Sequence, residues 1–336
     1  MGRKPLHILG SLLGLALLGV SVWFLQRELR EMDLTRVGWH IQQMPAARLA
    51  IAAGLCLAGY VVILGYDFLA LRYVGGRLPT RRILFNGYVS TAFSNTIAVP
   101  VVGVGGMRLR LYAGTGLSPR QIGELIAFVG VSAWLGLLLL ASGSAIVHPP
   151  QVEAVPADVW VRGGAAGVLV GLAGFLALCA WRDALKLLKW HLRLPTFRQA
   201  AGMMLVGLGD WLAQVLLFFA LLPSLSLGDL GWFIPVYTAA MLLAMLGHAP
   251  AGLGILDAGV LVLLSARVDQ AELIGALALT RLIYHLSPLL IAMLLFAGFE
   301  WRHFKRLPGG AAGENHEDTK KRGETQSPQM NTDGHG

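Results

Sequence analysis

Charge is what this sequence has least of. Only 14% of its 336 residues are Asp, Glu, Lys or Arg, against about 25% in soluble domains. So few charges cannot cover a globule of this size with polar surface, which excludes a soluble enzyme and a disordered chain. Cysteine is scarce too. Cys56 and Cys179 both lie inside apolar blocks, where they read as small hydrophobes and not as a disulfide or metal pair. Three motifs are also missing: a zinc-protease His-Glu-x-x-His, a phosphate-cradling Gly-x4-Gly-Lys-Ser/Thr and a nucleophile-elbow Gly-x-Ser-x-Gly. No catalytic residue, metal ion or cofactor is therefore expected. The net charge of +8 comes with no zinc-finger or helix-turn-helix pattern, so a nucleic-acid partner is not expected either.

Apolar residues are abundant, at 55%, and they sit in blocks of about 18–25, the length that spans a bilayer as a helix. Uninterrupted blocks cover 6–25, 49–71, 122–147, 163–181, 203–222, 232–246 and 273–299. Two more, 83–106 and 247–265, are apolar but broken by Gly and Pro. The expected fold is an all-α polytopic integral membrane protein of about eight transmembrane helices, plus broken or re-entrant helices. The first block follows Arg3 and Lys4 and reads as an uncleaved span. In 33–44, Leu34, Val37, Ile41 and Met44 share a helical face, which suggests a helix lying on the membrane surface. Trp23, Trp160, Trp181, Trp232 and Trp301 fall near block ends, where interfacial aromatics belong. Residues 1–306 thus read as the membrane domain, and 307–336 as a disordered cytoplasmic tail too polar to fold.

Loop charge sets the topology. The stretches 72–82, 108–120 and 182–198 and the start of the tail are rich in Arg and Lys and read as cytoplasmic. The loop 148–162 has one basic residue and 223–230 has none, so both read as external. The loop 26–48 mixes four arginines with Glu28, Glu31 and Asp33 and is ambiguous. Both termini are expected in the cytoplasm. The broken block 83–106 then has cytoplasmic flanks on both sides, and a hairpin that dips in and returns resolves this. The block 247–265 has external flanks, and is either a second hairpin or two short spans meeting near Pro250. Two Gly/Pro-broken segments of opposite sense, one per half, are the hydropathy signature of an inverted repeat.

Three patches carry chemistry. The first is Asn95 to Arg108, where Pro100 removes a backbone donor and Gly103, Gly105 and Gly106 permit unusual torsions. Arg108 and Arg110 follow at once, and a broken helix beside guanidinium groups suits a phosphate. The second is His248 to Asp257, where Pro250, Gly252 and Gly254 break the run. The third is Arg281, Tyr284, His285 and Pro288, spaced to share one α-helical face. An arginine inside a span needs a partner, with Asp257 expected first and Asp210 second. Asp67 and Glu124, near block ends, read as interfacial.

These patches resemble the flippase-like membrane-domain family named after the transmembrane region of lysylphosphatidylglycerol synthase. Asn95 to Arg108 is similar to its Asn-x4-Pro, Gly-rich, Arg element. His248 to Asp257 is similar to its His-x-Pro-Gly-Gly-Leu-Gly-x-x-Glu element, with Ala251 for a Gly and Asp257 for the Glu. Leu279 to Pro288 is similar to its closing Tyr-Arg-x-x-Tyr-Tyr-x-x-Pro helix, with Thr280 for the first Tyr. The likeness spans about residues 6–306. It implies translocation of lipids across the bacterial inner membrane. In the full-length synthases a soluble aminoacyltransferase domain follows; here a polar tail follows, so synthesis of lysylphosphatidylglycerol is not expected.

The expected function is therefore translocation of an anionic phospholipid, aminoacylated lipid or polyprenyl- or hopanoid-type lipid. Arg108, Arg110, Arg281, Tyr284 and His285 would hold the headgroup, and Asp257 and Asp210 would balance charge. Membrane lipids are the expected partners, a separate lipid-modifying enzyme is a further one, and a homo-oligomer is compatible with this reading. The rival is a non-transporting accessory or scaffold protein for such an enzyme.

Overall fold

The computed structural model describes residues 41–96, 105–149, 157–182, 184–187, 190–246 and 254–305, with scattered helical positions between 16 and 38. Most of the first apolar block, most of the proposed surface helix at 33–44 and the polar tail therefore lie outside the described residues. The chain divides into two units, Met1–Met293 and Leu294–Gly336. The packing and sites described lie in the first.

Within the described residues the fold is almost wholly helical: α1 (Ala46–Val74), α2 (Thr80–Thr96), α3 (Met107–Tyr112), α4 (Pro119–Val147), α5 (Ala157–Trp181), α6 (Phe197–Ala220), α7 (Leu230–Leu246), α8 (Ile255–Leu264), α9 (Gln270–Thr280), a π-helical turn (Arg281–Leu286) and α10 (Ser287–Lys305). One small antiparallel hairpin, β1 (Ala184–Leu187) with β2 (Trp190–Arg193), joins α5 to α6. Six helical segments are long and apolar enough to cross a membrane: Ala46–Val74, Pro119–Val147, Val159–Trp181, Phe197–Ala220, Leu227–Leu246 and Gln270–Arg302. The chain is thus an all-α polytopic membrane protein.

Helix ends follow local sequence. Ser118 and Thr196 cap α4 and α6 through reciprocal bonds with Gln121 and Gln199, which satisfy otherwise orphaned amides. Gly75 ends α1 in the left-handed region, at φ 74°, where a Cβ would be strained.

Small residues set the helix seams. Gly59 faces Ala213, Gly65 faces Val206, Gly202 faces Leu69 and Gly209 faces Val62. These pairs sum to about the same number, so α1 and α6 run antiparallel. The α4–α6 seam is tighter still. A Cβ on Gly136 would lie 2.1 Å from the Gly207 carbonyl carbon, and one on Gly207 would lie 2.4 Å from the Ser132 oxygen. With no hydrophobic force between helices in lipid, such close backbone approach is what holds them together.

The loops gather at two ends. At one, the Tyr73 hydroxyl donates to the Arg193 carbonyl (2.5 Å) and Gln121 Nε2 donates to the Val74 carbonyl (3.0 Å). This end carries the Arg-rich loops. At the other, Arg48 donates to the carbonyls of Leu222 (2.7 Å) and Leu225 (3.0 Å), and the Ser224 amide donates to Glu272 (2.9 Å). His148 packs against Gly231 at this end. The ambiguous 26–48 loop thus finishes with the charge-poor loops. Trp160, Trp181 and Trp301 are exposed near helix ends. Trp232 instead stacks under Arg267, 4.8 Å away.

Candidate functional site

The first broken segment is flanked by a helical hairpin. Arg108 on α3 meets Thr91 on α2, and Asn86 Nδ2 donates to the Leu111 carbonyl at 3.4 Å. As the number falls along α2 it rises along α3, so the two helices are antiparallel and both outer ends point the same way. Gly105 and Gly106 form a π-type turn leading into α3. Pro100 and Gly103 lie outside the described residues.

Arg108 is not presented to a headgroup. It is 1% exposed, and its Nη2 donates to Asp67 Oδ2 and to Thr91 Oγ1, both at 3.1 Å. Tyr112 donates to the other oxygen of Asp67 at 2.8 Å. The interfacial reading of Asp67 fails for the same reason: its carboxylate is fully buried and neutralises the arginine. A buried guanidinium takes an acid partner because its desolvation is otherwise uncompensated. Gly87 leaves room for that carboxylate, since a Cβ there would lie 3.1 Å from Asp67 Oδ2. Arg110 is buried as well. Glu124 stays at the surface, paired with Arg120 at 2.9 Å.

The second broken segment is also flanked by helices that fold back on each other. Gly259 on α8 lies against Ala240 on α7, where a Cβ would meet Ala240 Cβ at 3.3 Å. His248, Pro250 and Gly252 lie outside the described residues. Gly254 enters α8 at φ 87° and ψ −46°, a conformation that side chains avoid. Asp257 sits in the first turn of α8 and forms an ion pair with Arg281. That is the pairing expected from the sequence. Both side chains are about one quarter exposed, at 25% and 26%, so this guanidinium is accessible where Arg108 is not.

The third patch departs from its expected form. Arg281–Leu286 is a π-helical turn, so the α-helical spacing does not hold. Tyr284 does not line an accessible face. It is buried, and its hydroxyl donates to Asp210 Oδ1 at 3.1 Å. Asp210 is therefore not a partner of Arg281. It accepts instead from Tyr284, from Tyr66 (3.1 Å) and from Gln214 (3.2 Å). His285 is half-buried and meets Tyr284 edge-on.

A widened turn leaves backbone carbonyls short of helical partners, and side chains from α1 and α2 supply donors. Cys56 Sγ approaches the Ile283 carbonyl at 3.3 Å, and Tyr60 donates to that of Tyr284 at 3.2 Å. The Thr96 hydroxyl shares its proton between the Ala92 carbonyl at 3.0 Å and that of His285 at 3.4 Å, and Tyr88 donates to that of Pro288 at 3.2 Å. Asn95 lies within reach of the Tyr60 hydroxyl. Thr96 is the last residue of α2 before the first break, and Asp257 lies just beyond the second. The π-turn holds both, through His285 on one side and Arg281 on the other.

Tyr66, Thr91 and Tyr112 are not singled out by the sequence, and Asp67 is read from it only as interfacial. The available signal was an acid inside the 46–74 helix, deeper than the apolar block suggested. The carbonyl-docking tyrosines carry no such signal.

The fold and these sites define a class: a polytopic α-helical membrane protein in which two interrupted helical hairpins meet at one widened turn. No family model matches the chain. It is similar to an Escherichia coli (strain K12) protein named "Inner membrane protein YbhN", at 28% identity over 80% of this chain and 85% of the relative. It is also similar to "Uncharacterized protein slr0712" of Synechocystis, at 28% identity over 90% of this chain and 95% of the relative.

Proposed function

We propose that this chain is a translocase for an anionic lipid in the bacterial inner membrane. The observation that carries the reading is the attachment of both interrupted hairpins to one π-turn, beside the part-exposed Arg281–Asp257 pair. A part-exposed guanidinium in a widened turn offers two parallel donors to a phosphate. Asp257 balances that charge when the site is empty. Arg281 and His285 form the headgroup site, and the acyl chains stay in the bilayer. The two hairpins act as re-entrant gates of an inverted repeat. The Arg-rich end faces the cytoplasm by the positive-inside rule. The name of the Escherichia coli relative supports the inner-membrane location.

The test is leaflet exchange. Purified protein is reconstituted into phosphatidylethanolamine–phosphatidylglycerol vesicles with fluorescent phosphatidylglycerol, and outer-leaflet dye is quenched chemically. Faster exchange than in empty vesicles, lost on Arg281→Ala at normal yield, is expected. Equal exchange in both would sink the reading. A protein that only organises a lipid-modifying enzyme needs the Arg281–Asp257 pair for folding, so Arg281→Ala would then lower yield instead.

A further inference from the structure

Among the acids of the described helices, Asp67, Asp210 and Asp257 lie at the seams between helices, and two of these three have a guanidinium from another helix. Asp67 is held by Arg108 and Asp257 by Arg281. Asp210 differs. It is 7% exposed, and its three donors, Tyr66, Tyr284 and Gln214, are all neutral. Among the described residues no Lys, Arg or His forms an ion pair with it. We propose that Asp210 is a proton-binding site, and that its protonation state is passed through Tyr284 to the π-turn that holds both hairpins.

An ionised carboxylate deep in a membrane protein is costly without a cation, and such groups mark proton paths. A proton cancels this charge without breaking either existing ion pair and needs no further ligands around the carboxylate. The geometry also gives protonation a consequence. As a carboxylate, Asp210 only accepts, and each oxygen takes a tyrosine hydroxyl. As a carboxylic acid, one oxygen becomes a donor, and the hydroxyl aimed at it must turn or withdraw. On one side that hydroxyl belongs to Tyr284, inside the π-turn, whose carbonyl is bound by Tyr60. On the other it belongs to Tyr66, next in sequence to Asp67, which fastens the first hairpin.

The surrounding ionisable groups do not replace the missing cation. From α1 they are Tyr60, Tyr66 and the Arg108-bound Asp67, and from the π-turn Tyr284 and His285. Tyr237 on α7 stacks on Phe218, two turns along α6, with centroids 4.6 Å apart. The ionisable groups of α4, α5 and α9, among them Glu124, Arg162, Cys179 and Glu272, sit toward helix ends.

The site stands on its own geometry, and the coupling rests on the translocase reading. Two measurements separate them. Infrared difference spectra of the full-length protein in detergent, taken from about pH 8 to about pH 5, follow the carbonyl stretch of protonated carboxyls. A band that grows on acidification and is lost in Asp210→Asn is expected. Tyr284→Phe and Tyr66→Phe should move its midpoint to higher pH, because each removes a donor to the ionised form. These two also cover the case of an Asp210→Asn protein that does not fold. No titrating band, the same band in Asp210→Asn, or unmoved midpoints would overturn the site. In vesicles with fluorescent phosphatidylglycerol, a pH gradient of about one unit should bias the leaflet ratio by up to roughly tenfold per coupled proton. Asp210→Asn should abolish that bias. Exchange without any bias in the native protein refutes the coupling. A titrating band with no exchange at all removes the translocase and leaves the proton site.

Discussion

Asp67 and Arg108 are 41 positions apart in sequence and 3.1 Å apart in space, with both side chains buried. This pair fastens the first interrupted hairpin to α1, and Thr91 and Tyr112 each add a hydrogen bond to it. Removing one partner strands a charge away from water, at about 3–5 kcal/mol. Arg108→Met and Asp67→Leu should each lower the unfolding temperature and the yield of monodisperse protein in detergent. The double variant should recover part of the loss, because it leaves neither charge alone. Size-exclusion profiles and thermal unfolding of the four proteins check this. A double variant worse than both singles would contradict the pairing.

The α4–α6 seam makes a prediction about backbone contact. Gly136 and Gly207 leave no room for a methyl group, whereas Gly143, on the same helix, meets nothing within 4 Å. Overpacking a close seam costs about 1–3 kcal/mol where neighbours can shift, and here the neighbour is backbone. Gly136→Ala and Gly207→Ala should therefore destabilise by at least that amount. Gly143→Ala should be neutral or slightly stabilising, since Ala is the better helix former. Thermal unfolding in detergent ranks the three.

Topology can be tested by labelling. Arg77 and Ala113 flank the hairpin of α2 and α3 on the outside and are exposed, and Leu227 is 80% exposed at the other end of the bundle. The native cysteines are buried and unpaired, so background labelling is low. Arg77→Cys and Ala113→Cys should react with a membrane-impermeant maleimide from the same side, and Leu227→Cys from the opposite one. Opposite-side labelling of Arg77→Cys and Ala113→Cys would turn the hairpin into a span.

The sequence announced the helices well and their contacts unevenly. Long apolar blocks have few alternatives in a bilayer, so the spans followed from composition. The Arg281–Asp257 pair was also legible, because a charge in a span demands a partner and Asp257 follows the nearest break. Arg108 was assigned to a ligand because its acid lies in another block, and spacing along one chain carries no information on which helices touch. Tyr284 was misplaced for a different reason. Its face was read from α-helical spacing, and a π-turn changes that spacing without any residue that announces it. Donors from α1 and α2, which spacing along one chain does not show, meet its carbonyls.

The two arginine pairs should respond to mutation in opposite ways. Arg108 is enclosed, whereas Arg281 and Asp257 remain about one quarter exposed. A solvent-screened pair contributes only about 1 kcal/mol or less to stability, so Arg281→Ala should unfold near the native temperature. Its cost should fall on lipid exchange. Losing one charged hydrogen-bonding group is worth about 1.5–3 kcal/mol, a rate loss of roughly tenfold or more. Arg281→Lys keeps the charge but not the planar fork that grips a phosphate with two donors. The exchange rates should therefore fall in the order Arg, Lys, Ala while unfolding temperatures stay close together. Dithionite quenching in matched vesicles measures the first and intrinsic fluorescence on heating the second. If stability falls along with exchange, the pair is holding the fold and the headgroup site must be sought elsewhere.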